Sequence, residues 1–168
     1  SFRRTYYTTK QSPNLASAFL LVVGSDARLG RYRSWADSVA PGRIVFAGRQ
    51  DEIEKYYGAA DVAALPSLQE AFGNVVLEAL ASGLPVLVSR AVGAAEILRG
   101  DLAGGIVERA DDAAELTAKL VSLLGKAGEE ALRQEARSIA EGYSWERHFH
   151  GLDALLREVK ASPVGRVR

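Results

Sequence analysis

The sequence predicts an α/β domain built on a doubly wound, mostly parallel sheet of the Rossmann-like kind. Three observations predict it. Short apolar runs recur along the chain, at Phe19 to Gly24, Ile44 to Gly48, Val62 to Leu65, Val86 to Val88 and Gly104 to Glu108. Turn-forming Gly or Pro punctuates them, and helical patterns lie between them. About five strands alternating with helices build a parallel sheet, because each helix supplies the crossover that parallel strands need.

Bulk properties agree and exclude several classes. A chain of 168 residues has room for one domain with a proper core. Its hydrophobic share of 48% and charged share of 25% are ordinary for a globular protein. Lys plus Arg equals Asp plus Glu, 21 each, so there is no basic excess to suggest nucleic-acid binding. With no cysteine and two histidines, disulfides, thiolate chemistry and a His-rich metal site are not expected. No apolar run approaches the ~20 residues of a membrane-spanning helix, and no signal peptide is visible, so a cytoplasmic location is expected. The chain contains no Met and does not begin with one, which suggests a domain excised from something longer.

Taken in order, the chain opens with Arg3 and Arg4, whose guanidinium forks suit phosphate oxygens and would equally sit in water. Thr5 to Thr9 is β-rich in composition. Phe19 to Gly24 is a buried strand, and Ser25-Asp26 follows at its carboxyl end, where open α/β sheets place ligands. Arg31 to Val39 is a helix with Tyr32, Trp35 and Val39 on one face, and Trp35 is expected to pack in a core or interface. Pro41-Gly42 breaks it. Ile44 to Gly48 leads to a carboxyl-end loop with Arg49 and Gln50. Asp51 is expected to cap a helix from Glu52 to Ala59, with Ile53, Tyr56 and Tyr57 inward.

The stretch from Leu65 to Ser89 reads as strand, loop, helix, turn, strand. Pro66 ends the strand, the loop Ser67 to Phe72 carries Glu70, and Gly73-Asn74 opens a helix with Val76, Leu77, Leu80 and Ala81 at its apolar positions. Gly83-Leu84-Pro85 stops it. Beyond the next strand, Ala94 to Arg99 is a short helix with Glu96 in its first turn. Asp111-Asp112 caps a helix through Leu124, with Leu116, Leu120, Leu123 and Leu124 inward, and Glu129 to Glu141 is a further amphipathic helix. Ser144 caps a last one, along which Trp145, Phe149, Leu152, Leu156 and Val159 form an apolar stripe. Residues 1–160 therefore read as one domain and 161–168 as a mobile tail.

The chemistry concentrates in Glu70 and Glu78. One precedes the central helix, and the other sits about a turn into it, roughly 6–7 Å along the axis at 1.5 Å per residue. Between them lies a helix N-terminus with free N–H groups and partial positive charge, which suits phosphates. Gly73 lets the backbone come close, and a carboxylate on either side can accept hydrogen bonds from sugar hydroxyls. The same glutamates could simply complement the helix dipole.

The run PSLQEAFGNVVLEALASGLPVLVS resembles the signature of the retaining group 1 glycosyltransferases, which have the GT-B fold. In that family two glutamates with seven residues between them flank a nucleotide-sugar donor, a spacing that Glu70 and Glu78 reproduce. The family's glycine-containing turn falls on Phe72-Gly73-Asn74 and its small-Gly-x-Pro turn on Ser82 to Pro85. Ser1 to Arg4 is similar to its donor-phosphate loop without the usual Lys-Gly, and Val92-Gly93 partly matches its Gly-Gly. The likeness covers about Phe19 to Val159. The opening residues, together with Val22 to Asp26 and Arg28 to Arg33, look most like lipopolysaccharide core glucosyltransferases.

The resemblance implies the C-terminal, donor-binding half of a two-domain enzyme that transfers glucose from UDP-glucose to a glycan or glycolipid. Gly73, Asn74 and Val75 would take the diphosphate beside Phe72, helped by Arg3 or Arg4, with Arg49 near the nucleotide. Glu78 would hold the ribose and Glu70, the catalytic candidate, the transferred sugar. It implies no metal and no cofactor besides the UDP-sugar, an N-terminal domain as partner, and an acceptor site in that domain. The isolated chain would then bind nucleotide without turning over. Contact with the inner face of a membrane fits such an acceptor. Two other readings stand beside this one: a nucleotide-binding regulatory module, and an interaction domain using Trp35, Tyr56-Tyr57 or the last helix. A dehydrogenase is disfavoured, since Gly24-Ser25-Asp26 is not the GxGxxG such a site needs.

Overall fold

The computed structural model of the chain describes residues 5–8, 18–25 and 29–161. Among them six strands form one sheet: β1 (Thr5–Thr8), β2 (Leu20–Val23), β3 (Ile44–Gly48), β4 (Val62–Leu65), β5 (Val86–Ser89) and β6 (Ile106–Val107). The helices are α1 (Leu29–Val39), α2 (Ile53–Ala59), α3 (Asn74–Ala81), α4 (Ala113–Lys126), α5 (Glu130–Glu141) and α6 (Trp145–Ala161), with 3-10 turns at Gly93–Ile97 and Gly100–Gly105.

The strand order is β3-β2-β1-β4-β5-β6. β2 pairs parallel with β3, and β4, β5 and β6 pair parallel in turn. The β-rich Thr5 to Thr8 fills the middle slot and runs antiparallel to both neighbours, with Thr5 opposite Val23 and Tyr6 opposite Ala64. Thr5 therefore stands at the edge where the other five strands have their carboxyl ends. The sequence marked this segment as β-rich without giving its slot or direction, because nothing local specifies either.

Side chains alternate across the sheet with the two-residue period of a strand. Ala63, Leu65, Val86 and Val88 face one way, into a core shared with Val76, Ala79 and Leu80 of α3 and Leu132, Ala136 and Ile139 of α5. Val62 and Leu87 face the other way, against Leu123 of α4. Helices thus cover both faces, as doubly wound sheets require. Asp112 caps α4, its carboxylate accepting the N–H groups of Ala114 and Glu115 at 3.0 Å each.

Four expectations are corrected. Trp35 does not pack in this domain's core: it is 62% exposed, and among the described residues Ala36 is the buried one of α1; adjacent positions lie about 100° apart around a helix, and the face with the smaller side chain meets the sheet. Glu52, not Asp51, stands at the N-cap of α2 without a side-chain bond, while Asp51 faces Arg49 at 3.8 Å. The short helix after Val92 is of the 3-10 kind and spans Gly93–Ile97 rather than Ala94 to Arg99, with Glu96 in its first turn. The last strand keeps only Ile106 and Val107. The stripe of α6 covers nothing among the described residues: Trp145 is 70% exposed and Leu156 59%, and no residue of α6 is buried.

Candidate functional site

The site lies at the carboxyl ends of β4 and β5, where α3 begins. Gly73 occupies the N-cap with φ of 87°, a left-handed conformation that glycine adopts at little cost. No side chain caps this end. The Val76 N–H is turned onto the Gly73 carbonyl at 2.8 Å, while those of Asn74 and Val75 have no partner inside the helix by its own geometry. Asn74 is exposed, and Phe72 and Val75 are half-buried against the core.

Backbone contacts hold the glutamate loop from several directions. The buried Ser89 hydroxyl donates to the Ser67 carbonyl at the loop's start. Glu70 forms a parallel bridge with Val92, its N–H donating to the Ala91 carbonyl at 3.3 Å and its own carbonyl accepting from Gly93 at 3.2 Å. The Ala94 N–H then binds the Phe72 carbonyl at 2.8 Å. A Cβ on Gly73 would lie 3.3 Å from the Glu70 Cγ, so the Glu70 side chain passes beside Gly73. Glu78 stands one turn in on the exposed face, and the Tyr57 hydroxyl donates to its Oε2 at 2.8 Å.

Glu70, Gly73, Asn74, Val75 and Glu78 are therefore brought together around one helix end. Arg49 is not. It follows β3, separated from β4 by two strands, about 14 Å across the sheet at ~4.8 Å per strand. Arg3 and Arg4 lie outside the described residues, as do Asp26, Arg28 and the tail from Ser162. Sequence reading missed two residues, Tyr57 and Ser89. Both carried a faint signal, since a buried hydroxyl must find a partner.

Charge near the site is organised in surface pairs. Arg90, after β5, meets Glu108, after β6, at 2.6 Å. The hydrogen bonds that Arg90 donates hold the Glu108 carboxyl below the usual carboxylate range, and the same contact raises Arg90 further. Arg109 does the same to Asp111. Among the described residues no group of three or more His, Asp or Glu side chains is placed to hold a metal ion, and no helix is long and apolar enough to cross a membrane.

Fold and site together define a Rossmann-like α/β domain with its candidate ligand edge at the N-terminus of α3. The profile of the family described as "Glycosyl transferases group 1" matches residues 5–126, and the chain belongs to that family. It is 36% identical over 126 residues to a D-inositol 3-phosphate glycosyltransferase of Rhodococcus jostii (strain RHA1), covering 73% of this chain and 27% of the relative. Anabaena Alr3699/HepE, solved in complex with UDP, superposes with a TM-score of 0.71 at 21% identity, over 82% of this chain and 40% of that one. WaaG, described as a glycosyltransferase involved in lipopolysaccharide biosynthesis, gives 0.57 at 25% identity over 74% and 33%. The fold is that of a GT-B glycosyltransferase domain. The chain spans about a quarter of the length of the curated relatives it matches.

Proposed function

We propose that this chain is the UDP-sugar-binding half of a retaining glycosyltransferase that transfers a hexose, read as glucose, to a glycan or glycolipid. The carrying observation is that Glu70 and Glu78 flank the uncapped N-terminus of α3. Family membership and the fold shared with a UDP-bound neighbour support it.

In this reading the diphosphate lies on the N–H groups of Asn74 and Val75, Glu78 accepts from the ribose hydroxyls, and Glu70 accepts from the sugar. The bond between the anomeric carbon and the diphosphate oxygen breaks, the acceptor oxygen bonds that carbon from the same face, and the acceptor's proton ends on the departing diphosphate oxygen. Negative charge then grows on the diphosphate, where the helix end and Arg3 or Arg4 would stabilise it. Thr5, next to Arg4 in sequence, already stands at that edge. A lipopolysaccharide-core acceptor draws support from the likeness to WaaG. The more similar inositol 3-phosphate relative favours a second reading, a small phosphorylated polyol acceptor.

Calorimetric titration with UDP, UDP-glucose and NAD tests the donor site. UDP and UDP-glucose should bind and NAD should not. Glu78→Ala should weaken UDP about 10- to 100-fold, since hydrogen bonds to a charged group contribute ~1.5–3 kcal/mol. A folded chain indifferent to UDP, or a Glu78→Ala variant that binds as the parent does, would refute the assignment.

We also propose that the bare face of α6 meets the N-terminal domain of the whole enzyme, since contiguous exposed apolar stripes mark interaction surfaces. Leu156→Glu should then leave the melting temperature of this chain within about 1–2 °C, as surface changes do. A fall of many degrees would mean that the helix packs on its own domain.

A further inference from the structure

We infer that Tyr57 is a positioning residue for nucleotide binding: from the core, its hydroxyl fixes the Glu78 carboxylate in the orientation that receives a vicinal diol. The inference rests on the donor-site reading of Glu78. Tyr57 is 2% exposed and sits in α2, a different helix, 21 positions away in sequence. Its ring packs in the main core, so its hydroxyl has little freedom. Its acceptors include the Val75 carbonyl at 3.4 Å and Glu78 Oε2 at 2.8 Å, and of these the distances favour the carboxylate.

Glu78 is otherwise exposed. A glutamate on an exposed helix face normally samples several rotamers, and fixing one on binding costs entropy. A buried phenol that holds the carboxylate beforehand removes part of that cost, which is preorganisation. A tyrosine donor occupies one lone-pair site and leaves the rest as acceptors. The group presented outward is therefore acceptor-only and fixed, suited to two neighbouring hydroxyls.

The test is titration with UDP and with 2′,3′-dideoxy-UDP, which lacks the diol, for the parent chain, Tyr57→Phe, Glu78→Ala and the double variant. Tyr57→Phe keeps the ring in the core, and its melting temperature is measured alongside. The expected result is a loss of about 3- to 10-fold for UDP, the size of one net hydrogen bond. Dideoxy-UDP should be nearly unaffected, and adding Tyr57→Phe to Glu78→Ala should change nothing further. Equal losses for both nucleotides, a loss persisting without Glu78, or unchanged UDP binding would each overturn the role. A parent chain that binds both nucleotides equally would overturn the donor-site reading first, and the inference with it.

Discussion

Gly73→Ala is expected to lower the melting temperature by roughly 5–15 °C and weaken UDP more than tenfold, from a cost of about 2–5 kcal/mol. Two causes add. At φ of 87° any Cβ is strained. The space is also filled: the new carbon would lie 2.9 Å from Leu65 Cδ2, 3.1 Å from Val92 Cγ1 and 3.3 Å from Glu70 Cγ. Leu65 is a core residue with nowhere to turn, and Glu70 is the side chain that the site needs in place. Thermal melting and UDP titration on one preparation check both parts. A variant melting within two degrees of the parent would mean that the helix entry is not held as described.

Gly93→Ala should act for a different reason and with a narrower effect. Its Cβ would overlap the Ala71 carbonyl and approach the Ala71 carbonyl carbon and the Phe72 Cα, each at 3.1 Å. All of these are backbone atoms, so no rotamer relieves the clash. The Glu70 segment must shift, since Gly93 also donates to the Glu70 carbonyl. The stability cost should be about 1–3 kcal/mol. If Glu70 faces the sugar, UDP-glucose should weaken more than UDP. Equal losses for the two ligands, or none, would detach Glu70 from sugar binding.

Most of the architecture was legible because it is local. An apolar run closed by Gly or Pro, such as Phe19 to Gly24, states its own structure. So does the helix between Gly73 and Pro85, whose glycine proved to be left-handed at the entry. What was not legible depends on distant partners. Thr5 to Thr8 reads as β-forming, but its slot and direction are set by β2 and β4. Trp35 outweighs Ala36 in apolarity, yet the sheet determines which face turns inward. The closeness of Glu70 to α3 follows from its bridge to Val92, and that of Tyr57 to Glu78 from packing across two helices. The pair of glutamates was visible in sequence; the scaffold holding them was not.

The reversed middle strand has a mechanical consequence. The sheet is two parallel blocks, β2 with β3 and β4 to β6, and among the described residues β1 is their only ladder to each other. Detaching an edge strand breaks one ladder, whereas detaching β1 breaks two and leaves the blocks joined through core packing such as that of Val23. The blocks are unequal as well. Among the described residues between 18 and 50 only Val22, Val23 and Ala36 are buried, while nearly all of the described core lies beyond. The block bearing both glutamates thus holds most of the buried side chains, and β2 with β3 forms the lighter side. Play at the seam would widen or narrow the ligand edge from the β2 side and leave the spacing of Glu70 and Glu78 unchanged.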